Sequence, residues 1–99
     1  MDFQKTKVCD ATYQAVIELD QSDNYALFKL ANCFINGYDA EKLRSMLKSS
    51  NESHISDAVF ILGEIGDLTK NFITELSIIA EGKDEDLASD ARKLLKVYI

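Results

Sequence analysis

A short motif, Ala-x-x-x-Leu, constrains the fold of this chain of 99 residues more than any other feature. The motif occurs at residues 26–30, 58–62 and 91–95, so that its copies are offset by 32 and 33 residues. A small residue one helical turn before a leucine lets a neighbouring helix approach closely, while the leucine fills the gap beyond. Self-similarity at this period is typical of proteins built from repeated helical hairpins.

The residues between the apolar segments are also those of a helical protein. The chain has no proline, and its breaks are marked by Asp, Asn, Ser and Gly, which begin and end helices. We predict six helices, from about residue 3 to 19, from 24 to 37, from 39, from 51 or 53 to 66, from 67, and from about 84 to the end. The links are only a few residues long, so successive helices should be antiparallel neighbours.

Each predicted helix has apolar residues at helical spacing, which should face the core. In the first helix these residues are Val8, Ala11, Ala15 and Leu19. In the others they are Leu27, Leu30, Ala31 and Phe34; Leu43, Met46 and Leu47; Phe72, Ile73, Leu76, Ile79 and Ala80; and Leu87, Ala91, Leu94 and Leu95. The fourth helix contains AVFIL, residues 58–62, which is apolar on every side and therefore predicts an interior helix.

The segment ILGEIGD, residues 61–67, resembles the end of the second helix in HEAT-type repeats, in particular the short bacterial repeats similar to those of phycobilisome lyases. The resemblance implies that Gly63 is the small residue where helices touch, that Gly66 is a left-handed helix stop, and that Asp67 caps the next helix. The proline often found in the first helix of such hairpins is missing. The implied fold is all-α: a HEAT-like α-solenoid of about three antiparallel hairpins, residues 3–36, 39–65 and 68–98, in one domain over residues 1–99.

The two cysteines, Cys9 and Cys33, form no CxxC pair and have no histidine cluster near them in the sequence. Buried thiols in a reducing compartment are therefore favoured over the alternatives of a disulfide or a metal site. The chain begins without an apolar signal segment, and no run approaches the length of a membrane span. We therefore expect a cytoplasmic location.

The net charge is −6 and the sequence pI is about 4.6, which argues against nucleic acid or an anionic membrane as the main partner. Residues 51–99 carry ten Asp and Glu against five Lys and Arg, so this half holds most of the excess negative charge. A basic protein is the partner that such a charge distribution favours.

No residue set in the sequence predicts catalysis. His54 is the only histidine and lies beside a predicted helix start, and there is no Gly-rich phosphate loop. We therefore expect no enzymatic activity, no cofactor and no metal. Four carboxylates, Glu81, Asp84, Glu85 and Asp86, lack the spacing of an EF-hand. They are favoured as first-turn carboxylates of a helix, with a docking patch as the main alternative and a metal site as a third.

In a HEAT-like stack the even-numbered helices line the concave side, which makes their inner faces the candidate partner surface. The candidate residues are Tyr25, Phe28 and Asn32 on the second helix, Asp57, Phe60 and Glu64 on the fourth, and Asp90 and Lys93 on the sixth. Aromatic anchors supply binding energy and charges steer association. The alternative is that Phe28 and Phe60 belong to the core and that the charges form a solvated rim.

In size, charge and repeat type, the chain resembles bacterial immunity proteins of contact-dependent growth inhibition and other polymorphic toxin systems. That resemblance implies an inhibitor that binds a toxin domain, commonly a basic nuclease, through an acidic surface. The alternative is a general HEAT-like adaptor, or a fragment of a larger solenoid. The apolar ending, Val97, Tyr98 and Ile99, favours either self-association or packing against the fifth helix.

Overall fold

The computed structural model describes residues 2–19 and 23–98, and every regular element within them is a helix. The α-helices are α1 (Phe3–Ile17), α2 (Asn24–Ile35), α3 (Ala40–Leu47), α4 (Glu52–Leu62), α5 (Ile73–Ala80) and α6 (Glu85–Tyr98). A 3₁₀ helix covers Gly66–Phe72, between α4 and α5. The prediction of an all-α protein with six α-helices is confirmed.

Side-chain caps explain where most of these helices begin. An Asp or Asn side chain accepts a hydrogen bond from a backbone N–H of the first turn, which satisfies a donor that the helix itself leaves unpaired. The capping residues are Asp2 for α1, Asp23 for α2, Asp39 for α3, Asn51 for α4 and Asp84 for α6. The predicted starts at Asp39, Asn51 and Asp84 are therefore confirmed.

The exit from α4 differs from the prediction. The helix ends at Leu62 rather than Gly66, and Asp67 lies inside the 3₁₀ helix instead of capping α5. The tighter winding is held by Thr69, which is fully buried and whose hydroxyl donates a 2.6 Å hydrogen bond to the carbonyl of Leu62. The predicted left-handed backbone at Gly66 is confirmed, with φ at +64°.

Gly63 follows α4 directly, and the resemblance implied that its small size lets a neighbouring helix approach. A Cβ placed on Gly63 would lie 4.0 Å from Cδ2 of Leu94 in α6, which is ordinary van der Waals contact. The α6 helix is therefore close at this point, but its approach does not require a glycine.

The core is centred on α4, which contacts α2, α3, α6 and the 3₁₀ helix. Its residues Ala58, Val59, Ile61 and Leu62 are buried, which confirms the predicted interior helix. Core residues of α2 and α3 are also confirmed, namely Leu27, Leu30, Ala31, Phe34, Leu43, Met46 and Leu47. Phe72 at the end of the 3₁₀ helix, Leu76 of α5 and Ala91 of α6 are buried. The other predicted core residues of α5 and α6 are only partly buried, namely Ile73, Ile79, Ala80, Leu87, Leu94 and Leu95.

The predicted inner face of α1 is wrong. Val8 and Leu19 are 59% and 66% exposed, while the buried residues of this helix are Cys9, Thr12 and Val16. The apolar residues of α1 are spread around the helix, so their spacing did not single out the face that packs. The partner helix α2 selects the face that carries Cys9.

Cys9 and Cys33 form a disulfide that joins α1 to α2, with their Cα atoms 5.9 Å apart. The prediction of free thiols is therefore wrong. The two cysteines are 24 residues apart in the sequence, and only the packing of α1 on α2 brings them together. No local spacing motif signals a pair of this kind.

Some contacts join helices that follow each other in the chain, and others join helices two places apart. Contacts join α1 to α2, α3 to α4 and α5 to α6, and further contacts join α2 to α4, α3 to α5 and α4 to α6. The molecule measures 38 × 26 × 20 Å.

Among the described residues, no helix combines the length and the apolar character needed to cross a bilayer. Val97 at the end of α6 is exposed, and Ile99 lies outside the described residues.

Candidate functional site

An open groove runs between α4 and α6 and consists of two adjoining depressions. The first, about 270 Å³, is lined by Glu52, Ser53, Ser56, Asp84, Asp86, Leu87 and Asp90. The second, about 370 Å³, is lined by Ser56, Val59, Phe60, Gly63, Glu64, Asp90, Lys93 and Leu94. Ser56 and Asp90 line both depressions, and we refer to the two depressions together as the α4–α6 groove.

The α4–α6 groove is strongly acidic. Its lining includes the carboxylates of Glu52, Glu64, Asp84, Asp86 and Asp90, and a single cation, Lys93. The ammonium of Lys93 lies 4.0 Å from the Asp90 carboxylate, at the limit of an ion pair between two exposed side chains. Such a pair is weak in water and leaves most of the negative charge of the groove available to a partner.

Three of these carboxylates have a local structural reason for their position. Glu52 lies in the first turn of α4, Asp86 lies in the first turn of α6, and Asp84 caps α6 by accepting from Leu87 N at 3.1 Å. Negative charge is favoured at a helix N-terminus because the unpaired N–H groups there carry partial positive charge. Because α4 packs against α6, the N-terminal ends of both helices contribute carboxylates to one groove.

Within the described part of the chain, no three His, Cys, Asp or Glu side chains are grouped as metal ligands.

Two phenylalanines lie beside the acidic lining. The rings of Phe28 on α2 and Phe60 on α4 meet edge to face, with centroids 5.4 Å apart. Phe60 is partly buried and lines the groove, whereas Phe28 is 49% exposed. The pair therefore belongs to both core and surface, and Phe28 offers an aromatic edge to solvent next to the groove.

Tyr25 precedes Phe28 by one turn of α2 and lines a depression between α1 and α2. Its side chain is 73% exposed, and the ammonium of Lys29 lies 5.3 Å from the centre of its ring. Large exposed aromatic rings are costly in water and are typical anchors of protein interfaces.

The remaining candidates from the sequence do not line the α4–α6 groove. Asp57 is buried, so its carboxylate is not part of the exposed surface. Asn32 is exposed but lines another groove, between α1 and α2. Glu81 and Glu85 are exposed close to the start of α6 without lining either depression.

Sequence reasoning missed Glu52, Ser53 and Ser56, which line the groove from α4. A signal was present, because Glu52 and Glu85 occupy equivalent places in the Ala-x-x-x-Leu repeat, offset by 33 residues. Equivalent positions on two adjacent repeats lie next to each other when the repeats stack. The first turn of α4 could therefore have been added to the acidic surface.

Away from the groove, Arg44 joins α3 to α5. Its guanidinium donates hydrogen bonds to the Glu75 carboxylate and, at 2.9 Å, to the carbonyl of Asn71, and it lies 4.9 Å from the ring centre of Phe72. Burial on its own raises the pKa of Glu75, but the hydrogen bond and charge of Arg44 outweigh burial, and the pKa of Glu75 is lowered. This cluster stabilises the contact of α3 with α5, and Glu75 does not line either depression of the α4–α6 groove.

A second polar cluster joins α1 to the loop before α3. The hydroxyl of buried Tyr38 donates a 2.5 Å hydrogen bond to Oδ1 of Asp10, and the ammonium of Lys42 lies 5.0 Å from the ring centre of Tyr13. Burial, and next the hydrogen bond to Asp10, raise the pKa of Tyr38. The cluster is a polar attachment for α1.

His54 lies in the first turn of α4. Its Nδ1 lies 3.3 Å from the hydroxyl of Ser49, which is a local contact at the start of α4.

Comparisons of the chain with known protein families, with characterised proteins and with solved structures return no match. The functional proposal therefore depends on the geometry and charge of the α4–α6 groove.

Proposed function

We propose that this chain is a protein-binding module that holds a basic partner in the α4–α6 groove. The observation that carries the proposal is the convergence of five carboxylates, on or next to α4 and α6, on one open groove beside the exposed ring of Phe28. An acidic groove speeds encounter with a basic surface, and aromatic anchors slow dissociation once contact is made.

The architecture that we propose for the module is the HEAT-like α-solenoid of three helical hairpins. The contacts of α1 with α2, α3 with α4 and α5 with α6 support the three pairs. The contacts of α4 with both α2 and α6 support a layer of even-numbered helices. In such a layer, Tyr25 and Phe28 of α2 would extend the surface that the α4–α6 groove begins.

The specific function that we propose is that of an immunity protein, which neutralises a basic bacterial toxin domain such as a nuclease. A nuclease binds phosphates in a positively charged cleft, so an acidic groove with aromatic edges is complementary to it. A general adaptor is the second candidate, because the aromatic surface of α2 also suits a partner without excess positive charge. Neither function requires catalysis by this chain.

The proposed site of action is the cytoplasm, where a nuclease toxin would meet its substrate. The Cys9–Cys33 disulfide weighs against this location, since disulfides are rare in reducing compartments. Alkylation of the protein directly in lysed cells, followed by intact mass measurement, decides which thiol state is present where the protein acts.

The first experiment tests the acidic groove. Where a neighbouring gene encodes a toxic domain, the chain is co-expressed with it. Survival and the rate of complex formation are measured for the parent and for Asp86→Lys with Asp90→Lys. Reversing both charges should slow association about tenfold or more at low salt and reduce its dependence on salt. The matched control, Glu18→Lys with Asp67→Lys, makes the same change of charge at exposed positions outside the groove.

If the parent neither binds nor protects, the immunity function is wrong. Equal effects of the groove and control variants would show that only net charge matters and would remove the α4–α6 groove as the contact surface.

The second experiment tests the aromatic part of the surface by comparing two exposed phenylalanines. Phe28→Ala removes the aromatic edge beside the groove, while Phe3→Ala removes a ring that is 74% exposed at the start of α1. For either function, the complex with Phe28→Ala should dissociate faster than that of the parent, and the complex with Phe3→Ala should dissociate at the parent rate. A partner that needs Phe28 but tolerates charge reversal in the groove would favour the adaptor.

A further inference from the structure

The Cys9–Cys33 disulfide lies in the wall of a second open groove. This groove, between α1 and α2, has a volume of about 560 Å³, and both cysteines are part of its lining. Their residues keep 5% and 9% exposure, so the bond is mostly covered but is next to solvent. Thiol–disulfide exchange requires that an attacking thiolate reach one sulfur, and an open groove provides the approach.

The charge of this groove is opposite to that of the α4–α6 groove. Its lining contains Lys5 and Lys29 together with the polar side chains of Gln4, Thr12, Asn32 and Asn36, and includes no carboxylate. Two cations beside a disulfide attract an anionic thiol and stabilise the thiolates that form during exchange. Glutathione, a small thiol with net negative charge, has the chemistry that such a groove favours.

The disulfide also attaches a helix whose main packing partner is α2 alone. Of the 15 residues of α1 only Cys9, Thr12 and Val16 are buried, and its first-turn residue Phe3 is 74% exposed. Its other attachments include the hydrogen bond from Tyr38 to Asp10 and the contact of Lys42 with Tyr13. Elements with few buried apolar contacts are the ones that open before the rest of a fold.

We propose that the Cys9–Cys33 disulfide is a redox switch, which a small anionic thiol of the glutathione class opens through the α1–α2 groove, and that its reduction releases α1 while α3–α6 stay folded. A thiolate attacks one sulfur of the bond, forms a mixed disulfide and expels the other cysteine as a thiolate. A second thiolate then attacks the external sulfur of the mixed disulfide and expels the remaining cysteine. Two thiols are oxidised to one disulfide, and the protein receives two electrons and two protons.

The first test measures the chemistry on the full, oxidised chain. The protein is incubated with reduced glutathione without denaturant, and free thiols are alkylated and counted by intact mass. Reduction should go to completion in folded protein. Lys5→Glu with Lys29→Glu should slow the reaction with glutathione about tenfold, but should not slow the reaction with cysteamine, a cationic thiol. Lys7→Glu with Lys70→Glu, outside the groove, should leave both rates unchanged.

The second test measures the structural consequence by hydrogen exchange and mass spectrometry before and after reduction. Loss of a cross-link of this loop length should accelerate exchange in residues 3–17 about a hundredfold, with little change in residues 52–62. Cys9→Ser with Cys33→Ser should reproduce the reduced pattern and should not respond to glutathione. Where that variant fails to fold, the reduced parent chain provides the same readout.

Three results would overturn the proposal. A disulfide that glutathione reduces only in denaturant has no functional access through the groove. Exchange that accelerates equally in all helices means that the bond holds the whole fold rather than α1. Exchange that does not change in residues 3–17 means that α1 stays in place without the bond.

Discussion

The first and fourth helices are held in place by different means. The longer helix, α1, buries three of its residues and is joined to its neighbours by a disulfide and by the Tyr38–Asp10 hydrogen bond. The shorter helix, α4, buries five residues and contacts four other elements. Apolar packing is non-directional and grows with the number of neighbours, whereas a helix with few neighbours depends on individual specific bonds. Neighbours, more than helix length, therefore decide how a helix is stabilised here.

The largest effect should come from the middle of α4. Leu62→Ala removes most of a fully buried side chain and should lower the free energy of unfolding by about 2–5 kcal/mol. Val8→Ala on α1, at a side chain that is 59% exposed, should change it by no more than about 0.5 kcal/mol. Urea unfolding monitored by circular dichroism measures both. Similar values for the two variants would contradict the difference between the helices.

A smaller but still large effect is expected where α3 meets α5. Arg44→Met keeps part of the side-chain volume but leaves the buried Glu75 carboxylate without its guanidinium. The free energy of unfolding should fall by about 2–3 kcal/mol, because a buried charge loses its partner. Chemical denaturation at neutral pH is the measurement, and Arg92→Met at an exposed position of α6 is the control. An equally small effect of both variants would show that the cluster is too solvated to matter.

The same cluster should make stability depend on acid. Because the pKa of Glu75 is lowered in the fold, its contribution is complete above the ordinary value of 4.5 and is lost as the pH falls through the lower folded value. The difference in unfolding free energy between the parent and Glu75→Gln should therefore shrink as the pH falls below the ordinary value. Denaturant titrations at several pH values measure it. A difference that stays constant over this range would contradict the lowered pKa.

Two glycines with left-handed backbone, one after α2 and one after α4, should respond alike. Gly37 has φ at +99° and Gly66 has φ at +64°, and a Cβ at either position would meet no atom within 4 Å. Alanine should therefore cost about 1 kcal/mol or more at each site through backbone strain alone. Thermal unfolding measures the change. A neutral Gly66→Ala would mean that the turn after α4 relaxes to another conformation.

The smallest effect should come from the polar attachment of α1. Tyr38→Phe removes the hydrogen bond to Asp10 and should cost about 0.5–1.5 kcal/mol. Because the pKa of Tyr38 is raised in the fold, its contribution is present below the ordinary value of 10.0 and is lost as the pH rises above it. Unfolding measured at pH 7 and above pH 10 tests both statements, with Tyr25→Phe as the control. A parent chain and Tyr38→Phe variant with the same alkaline profile would contradict the role of the hydroxyl.

Local patterns in the sequence determined the secondary structure and most of the core. Asp39, Asn51 and Asp84 correctly predicted helix starts, because a capping side chain accepts a hydrogen bond from the first turn of its own helix. The apolar run at residues 58–62 predicted an interior helix, because it has no polar face that could be exposed to solvent. Gly66 correctly predicted a left-handed turn, because glycine adopts the left-handed backbone conformation without a Cβ clash. Each of these signals acts within a few residues along the chain.

The tertiary structure decided every feature that depends on which helices contact each other. The buried face of α1, the Cys9–Cys33 bond and the Arg44–Glu75 pair each need a partner 24 or more residues away, and no local pattern specifies it. The acidic surface shows the same division. Its charge and several of its carboxylates were evident from the sequence, but the packing of α4 against α6 brought Glu52 to Asp84 and Asp86. Asp57, which the sequence placed on this surface, is buried in the fold. Local propensity acts along the chain, whereas a groove is created by surfaces that only the packed fold brings together.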